Sequence, residues 1–330
     1  MNAIKEKKSE GAIAFLLNNK AIVILIGVVI IAAFLSEHFF TAKNLLNILR
    51  QVSTTGILAA AFTCVLACGY IDLSVGSLLG MLGIIMAKLS TSANLPFATV
   101  VVIAIGLGAL CGAVNGLIIT GLRVNFFIAT LATQLVFRGI NYVICNNSSI
   151  SGLPPEYASV GQQYWGPLPV PVYIMILFTV IIAVILYRTT FGRHIVATGG
   201  NIEAARVSGV NVNAVIIGVY VIMGIAAAIG ALIITGRAMS GQPSAGEGME
   251  MDAIAAAVIG GTALSGGKGN VVGSIIGCIL IGMIGNVLNI MGVNSNYQLI
   301  VKGLIILSAV VLDVQTAQFL SKRSIKQENA

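Results

Sequence analysis

Charged residues are scarce in this chain. Asp, Glu, Lys and Arg make up only 9% of its 330 residues, whereas a soluble domain of this size carries about a quarter. This shortage excludes an ordinary soluble enzyme, and it argues against a nucleic-acid partner even though the formal net charge is +7. Because 57% of the residues are hydrophobic, the composition indicates an all-α integral membrane protein.

Side chains that carry out catalysis are also few. The chain has two histidines, His38 and His194, and three aspartates, Asp72, Asp252 and Asp313. This set supports no catalytic triad, no pair of catalytic carboxylates and no metal site with standard ligand spacing. We therefore expect a chain that is not an enzyme and that holds no metal.

A phosphate-binding loop is lacking as well. The segment Gly266-Gly267-Lys268-Gly269 has no hydroxyl residue after its lysine and no glycine at the required distance upstream. It also follows an apolar run, whereas a phosphate-binding loop follows a strand. We therefore expect that this chain binds no ATP and no other cofactor by itself.

Apolar runs of membrane-spanning length are abundant. A helix needs about 20 apolar residues to cross the hydrocarbon core, within a range of about 17–25. Ten runs approach this length and are the predicted spans: residues 21–35, 52–68, 73–87, 98–119, 126–144, 171–187, 214–235, 252–264, 271–291 and 297–312. Because ten is an even number, both termini are predicted on the same side of the membrane.

The positions of the basic residues decide which side that is, because cytoplasmic loops carry an excess of Lys and Arg. With the N terminus inside, twelve basic residues fall in inner segments and five in outer ones. We therefore predict both termini in the cytoplasm. The chain then divides into a cytoplasmic segment 1–20, a transmembrane domain 21–313 that includes an external loop 145–170, and a cytoplasmic tail 314–330.

The chain also shows signs of an internal duplication. Asp72 and Gly80 match Asp252 and Gly260 at a common offset of 180 residues, and each half holds five predicted spans. An odd number of spans per half requires the halves to insert in opposite orientations. The sequence therefore predicts an inverted five-helix repeat, which is a plan found in many transporters.

Two short spans, residues 73–87 and 252–264, occupy corresponding places in the two halves. Each follows a polar segment that contains glycine, and paired short helices of this kind indicate a transport site. The residues predicted along a translocation pathway are Asp72, Ser74, Asp252 and Lys302. The two aspartates fit equally well as helix caps, and the lysine as a side chain that reaches the outer headgroups.

A polar stretch, residues 188–213, interrupts the apolar runs on the predicted cytoplasmic side. Within it, good helix formers are followed by Gly209, which predicts a short helix around residues 202–207. The stretch is either an ordinary basic loop or a surface on which a water-soluble partner acts. The residues predicted to couple to such a partner are Arg193, Glu203, Ala204, Ala205, Arg206 and Gly209.

Several short blocks along residues 39–313 carry a family pattern. They include Phe39-Phe40-Thr41, Ile71-Asp72-Leu73-Ser74-Val75-Gly76-Ser77, Phe127-Ile128-Ala129-Thr130-Leu131, Gly199-Gly200-Asn201, Ser208-Gly209-Val210-Asn211-Val212 and Gly260-Gly261-Thr262. In this order they resemble the permease subunits of bacterial ribose/galactose-type ATP-binding-cassette sugar importers, and most of all the ribose permeases. One departure is Tyr70, where the family pattern has a second glycine.

The resemblance implies a multi-pass permease of the bacterial cytoplasmic (inner) membrane that imports a monosaccharide, ribose or a related sugar. The implied partners are two cytoplasmic ATPase domains that bind ATP and Mg, a second permease copy and an external sugar-binding protein. It also makes the segment from Glu203 to Gly209 similar to the loop through which importer permeases contact their ATPases, although the usual isoleucine, leucine and proline that follow are missing.

Two alternatives stay open at this point. One is a permease of the same class for another small solute, such as a nucleoside. The other is an ion-coupled secondary transporter, which the inverted repeat fits equally well. The small number of charges within the spans disfavours ion coupling, because such transporters carry ionisable groups inside the membrane.

Overall fold

The computed structural model describes residues 39–305, 307–308 and 311. The predicted first span, residues 21–35, and the segments 1–20 and 314–330 lie outside the described residues. The helices are α1 (Ala42–Ala67), α2 (Val75–Thr91), α3 (Phe97–Gly121), α4 (Phe126–Cys145), α5 (Pro155–Gly161), α6 (Val170–Arg188), α7 (Thr190–Gly200), α8 (Ile202–Val207), α9 (Val212–Ala238), α10 (Met249–Ile259) and α11 (Val271–Ile290). Residues 295–305 form a further helix, α12.

Six of these helices, α1, α3, α4, α6, α9 and α11, are long and apolar enough to cross a membrane. The two helices at the predicted short spans are shorter: α2 has 17 residues and α10 has 11. The strands are four two-residue pieces, β1 (Ile150–Ser151), β2 (Tyr164–Trp165), β3 (Leu168–Pro169) and β4 (Ser240–Gly241). A mainly helical membrane fold is therefore confirmed, while the count of ten spans and the cytoplasmic termini stay predictions.

One predicted helix boundary is wrong by ten residues, because α1 begins at Ala42 and the predicted span begins at residue 52. Thr41 caps the helix, since its Oγ1 accepts a hydrogen bond from Asn44 N at 3.3 Å. The polar side chain of Asn44 in this first part is satisfied by another helix. The amide groups of Asn44 and Asn286 on α11 exchange two hydrogen bonds of 2.9 and 2.8 Å.

The helices α1 and α9 form the centre of the molecule. They pack against each other, and the side chains of α1 are almost continuously buried from Val52 to Ala67. In addition, α9 packs against α2 and α3, while α1 packs against α10 and α11. Each central helix thus carries the short helix and the following long helix of the opposite half, an arrangement that agrees with the predicted repeat.

Glycines with four-residue spacing bring these helices into backbone contact. On α3, a Cβ added at Gly108 or Gly112 would overlap the carbonyls of Gly224 and Tyr220 on α9. On α11, Gly277 lies in the same way against the carbonyl of Ala256 on α10. These glycines therefore serve helix packing and do not form a ligand cradle.

The segments predicted outside the membrane gather at one end of the bundle, called the outer end below. The strands β1 and β4 pair there, with Ile150 opposite Gly241. Ser90 Oγ lies 2.8 Å from Tyr157 OH on α5, and Gln162 Nε2 donates to the carbonyl of Arg237 at 3.1 Å. At the opposite, inner end, α7 and α8 lie beside the loop between α10 and α11.

The contact between α3 and α9 generates a stability prediction. Gly112→Ala should lower the free energy of unfolding by about 1–3 kcal/mol, because the added Cβ overlaps the Tyr220 carbonyl. Gly106→Ala on the same helix is the matched control, since a Cβ there meets nothing within 4 Å and alanine favours the helix. Thermal unfolding of both purified variants in detergent measures the difference, and equal unfolding temperatures would contradict the packing role.

Candidate functional site

The helix α2 begins inside the bundle. Before its first turn, Asp72 Oδ1 accepts hydrogen bonds from Ser74 N at 2.9 Å and from Ser74 Oγ at 2.6 Å. Asn115 Nδ2 donates to the same Ser74 Oγ at 2.9 Å. Since Asn115 lies six residues before the end of α3, about 9 Å along that helix, the turn is buried well inside the inner end.

The helix α10 also begins inside the bundle, but it does so from the outer end. Arg138 Nη1 donates to the carbonyls of Pro243 at 2.7 Å and Ala245 at 3.1 Å, and Asn141 Nδ2 lies 3.3 Å from the Pro243 carbonyl. Arg138 is seven residues before the end of α4, about 10 Å along the helix. The chain between β4 and α10 therefore enters the bundle before the helix starts.

The beginnings of the two short helices meet at Gly76. A Cβ added there would overlap both Glu250 Oε2 and the carbonyl of Gly246. Glu250 is 5% exposed; its Oε1 lies 3.4 Å from Gln134 Nε2, and its buried Oε2 has no hydrogen-bond partner among the described residues. Glu250 was not among the residues predicted from the sequence, although a glutamate two residues before Asp252, in the polar segment that precedes the predicted short span, was an available signal.

A polar cavity of about 230 Å³ lies near the outer end between α1, α9, α10, α11 and α12; we call it the outer cavity. Lys302 Nζ donates to Asp252 Oδ2 there at 2.7 Å. The lysine side chain is 32% exposed and the aspartate 20%, so the ion pair is partly open. The other polar residues that line the cavity are Gln51, Thr54, Thr55, Arg237, Asn289 and Gln298.

The four predicted pathway residues therefore form two separate pairs. Asp252 and Lys302 lie together in the outer cavity, whereas Asp72 and Ser74 close a buried turn that does not line it. Asp72 bonds to Ser74 in the turn before α2, but it does not cap the helix, whose N-cap residue is Ser74 without a side-chain cap bond, so the capping role weighed for Asp72 is wrong. Lys302 is paired with Asp252, and this pairing was not predicted from the sequence.

The short helix predicted in the polar stretch is confirmed, because α8 spans residues 202–207. Asn201 Oδ1 accepts a hydrogen bond from Ala204 N at 2.9 Å and caps its beginning. Just after its end, Gly209 has φ +85°, a left-handed conformation that glycine adopts without strain. The rest of the stretch is also ordered, since α7 precedes α8 directly.

The helix α8 exposes charged and apolar side chains together. Arg206 Nη1 lies 2.9 Å from Glu203 Oε1, and their side chains are 57% and 69% exposed. Ala205 is buried against the molecule, whereas Val207 is 85% exposed. Arg193, on α7, is exposed as well. An exposed apolar side chain next to exposed charges suits a surface that contacts another protein.

Close backbone contacts connect α7, which precedes the exposed helix α8, to the transmembrane core. A Cβ added at Gly199, near the end of α7, would overlap the carbonyl of Ala67 at the end of α1. Gly267 N donates to the same carbonyl at 2.9 Å. The glycine-rich segment 266–269 thus holds α7 against α1, which is a structural role in keeping with its lack of a phosphate-loop pattern.

An open inner cleft of about 810 Å³ lies beside α8 and the inner ends of α3 and α9. Arg123 and Arg206 line it together with Asn211 and Asn213. Tyr70, the departure from the family pattern, also lines the cleft, and its ring packs edge-to-face on Phe126 with centroids 5.3 Å apart. The inner end therefore presents a basic, water-accessible concavity next to α8.

Comparison with known proteins gives the chain a family context. The profile of the family described as branched-chain amino acid transport system / permease component matches residues 44–310. The ribose import permease protein RbsC of Bacillus subtilis is 44% identical over 86% of this chain and 89% of its own length. The protein of that name from Haemophilus influenzae is 41% identical over 91% and 94%.

A more distant relative is the D-allose transport system permease protein AlsC of Escherichia coli. It is 37% identical over 88% of this chain and 89% of its own length. No solved structure matches the chain.

The buried turn before α2 generates a second prediction. Asp72→Asn should change the free energy of unfolding by about 1 kcal/mol or less, because an amide oxygen still accepts both hydrogen bonds from Ser74. Asp72→Leu leaves these buried donors unsatisfied and should destabilise the chain by about 1–3 kcal/mol. Thermal unfolding of both variants tests this; equal damage from Asn and Leu would show that the carboxylate charge itself is needed.

Proposed function

We propose that this chain, which belongs to the family of branched-chain amino acid transport system permease components, is the membrane-spanning permease of an ATP-driven importer for a monosaccharide. Ribose or a closely related sugar is the proposed solute. The observation that carries the proposal is the similarity to ribose import permeases, at 41–44% identity over most of both chains. The chain is a multi-pass protein of the cytoplasmic membrane.

The description of the family names amino acids, yet the relatives over nearly the full length are sugar permeases. The outer cavity favours sugars as well. Its polar lining consists mostly of amides and hydroxyls, and its acid, Asp252, is already paired with Lys302. A zwitterionic amino acid requires an unpaired group of opposite charge at each end, whereas a sugar requires only hydrogen-bond partners.

Energy coupling is proposed to take place at the inner end. A partner with two ATPase domains, which bind ATP and Mg, would contact α8 through Glu203, Arg206 and Val207, with Arg193 beside them. The contacts of Gly199 and Gly267 with Ala67 support this, because they connect the exposed helix to the end of central helix α1. A displacement of α8 therefore acts on the transmembrane core through backbone contacts.

The remaining proposed partners are a second permease copy and an external sugar-binding protein. Large apolar side chains on α4, such as Leu135 at 70% and Val143 at 77% exposed, are available to lipid or to a second copy. At the outer end, the loop 145–170 holds Trp165, 66% exposed, where an external protein would approach. We propose Asp72, Ser74, Asp252 and Lys302 as residues along the pathway between the two ends.

The transport experiment uses the chain in liposomes with and without its partner ATPase and binding protein. Uptake of labelled ribose should require all components and ATP, and the purified chain alone should hydrolyse no nucleotide. Uptake by the chain alone under a proton or sodium gradient would instead identify an ion-coupled transporter. That second candidate is favoured by one observation, the intramembrane Asp252–Lys302 pair.

The end of α8 generates a prediction about coupling. Gly209→Val should lower sugar-stimulated ATPase activity of the complex by about tenfold or more, because a β-branched residue is strained at φ +85° and shifts the end of the helix. Gly209→Asn is the matched control, since asparagine tolerates this conformation. Both variants should keep the transmembrane helices folded, because Gly209 is exposed and lies outside them. Normal stimulation in Gly209→Val would count against the coupling role of α8.

A further inference from the structure

The outer cavity holds a combination of groups that helix packing does not explain. We propose that it is a binding site for a neutral, polyhydroxylated solute of monosaccharide size, in which Thr54, Gln51 and the Asp252–Lys302 pair form the hydrogen bonds. The inference rests on the proposed function and deepens it. It adds Thr54 and Gln51 to the proposed pathway residues Asp252 and Lys302, and it assigns direct contacts with the solute to all four.

The hydroxyl of Thr54 is the first observation. Thr54 is 1% exposed and lines the outer cavity, and its Oγ1 has no hydrogen-bond partner among the described residues. On the same helix, the hydroxyls of Ser53 and Thr63 donate to carbonyls four residues earlier, at 2.7 and 2.9 Å. A buried hydroxyl without a partner is costly, so a solute hydroxyl in the cavity would complete this site.

The ion pair is the second observation. Lys302 Nζ uses one of its three donors on Asp252 Oδ2, and Asp252 Oδ1 has no hydrogen bond to a described residue. The pair is therefore neutral as a whole but still offers donors and an acceptor to the cavity. A charge-neutral group with both functions suits a sugar hydroxyl, which donates and accepts at the same atom.

The remaining lining fits the same chemistry. Gln51 and Asn289 offer amides, and Gln298 is held in place by donating to Asn289 Oδ1 at 2.8 Å and to the Val293 carbonyl at 2.9 Å. Val52, Ile234 and Ile281 provide an apolar wall for the C–H face of a sugar ring.

The size of the cavity agrees with this ligand class. About 230 Å³ corresponds to about eight water molecules of about 30 Å³ each. This volume is large enough for a pentose or hexose.

A zwitterionic amino acid is the rival occupant. Arg237 lines the cavity with no acid within ion-pair distance among the described residues, so it would attract a carboxylate. The ammonium group of the amino acid would then need Asp252, which is already held by Lys302 at 2.7 Å. Breaking this pair leaves the lysine uncompensated and costs free energy. A neutral sugar leaves the pair intact and is therefore the favoured occupant.

The test measures binding directly and does not depend on transport. The full chain in lipid nanodiscs is titrated with ribose, and in parallel with leucine, by saturation-transfer-difference NMR, which detects weak binding. Thr54→Val keeps the shape but removes the hydroxyl, and it should weaken ribose binding about five- to tenfold, as expected for one lost hydrogen bond. Thr54→Ser restores the hydroxyl and should bind within about twofold of the unmodified chain.

Ser53→Ala is the matched control, because Ser53 is equally buried on the same helix but bonds to the Leu49 carbonyl and does not line the cavity. It should bind ribose normally. If Thr54→Val fails to fold, the titration uses Gln51→Leu instead. Because Gln51 is exposed, this substitution leaves the packing of the core unchanged. That variant should show a similar weakening.

Unchanged ribose binding in Thr54→Val and Gln51→Leu would overturn the site, even if the complete importer transports ribose. The same holds if the unmodified chain shows no ribose signal while the complete importer is active, and a leucine signal in place of ribose would assign the cavity to amino acids. Failure of ATP-dependent ribose uptake by the complete importer would overturn the proposed function instead. Binding and transport thus separate the two inferences.

Discussion

The structure depends on satisfying backbone groups where two helices begin inside the bundle. In the hydrocarbon region every unpaired N–H or C=O is costly, so irregular backbone survives there only when protein groups or a cavity satisfy it. Asp72 and Asn115 satisfy the turn before α2, while Arg138 and Asn141 satisfy the segment before α10. The short helices are therefore held in place by side chains from neighbouring long helices.

The need to satisfy these backbone groups explains why polar side chains lie at the beginnings of α2 and α10, although the chain as a whole contains few of them. Tyr220 on central helix α9 donates to the carbonyl of Ile71 at 2.8 Å, again at the start of α2. At the point where the two starts meet, Gly76 gives room to Glu250 and Gly246. The positive ends of the two helix dipoles lie near this contact and favour a carboxylate there. Within the part of the chain that the structure describes, the second carboxylate oxygen of Glu250 has no hydrogen-bond partner at this contact.

The sequence predicted much of this architecture for identifiable reasons. Nine of the ten predicted spans overlap described helices, and six of these helices are long and apolar enough to cross a membrane, because uninterrupted apolar runs are a strong signal. The short helix of residues 202–207 was predicted from helix formers followed by Gly209, a local signal that tertiary packing did not override. The beginning of α1 was misplaced because polar residues precede Val52, and one of them, Asn44, is satisfied by a partner 242 positions away, Asn286.

The candidate site was predictable only in part. Asp252 and Lys302 stood out as rare charges, but their pairing depends on how α10 and α12 pack, which no local pattern encodes. Thr54 gave no signal at all, since a threonine in an apolar helix ordinarily bonds to its own backbone. Its missing bond appears only when the geometry of α1 is known. Thr54 departs from the common pattern in which a helical threonine bonds to its own backbone, and only the three-dimensional structure shows this departure.

The central helix α1 connects the two functional ends. Its outer half contributes Gln51 and Thr54 to the outer cavity, and its inner end accepts the Gly267 hydrogen bond that holds α7 and the exposed helix α8. The helix α1 is buried almost continuously from Val52 to Ala67 and packs on α9, and a tightly packed interior of this kind transmits strain. A force applied at α8 would therefore reach the outer cavity as a displacement of Thr54 relative to Asp252, which changes the hydrogen bonds available to a solute. The proposed coupling surface and the proposed solute site are thus connected through α7 and the central helix α1.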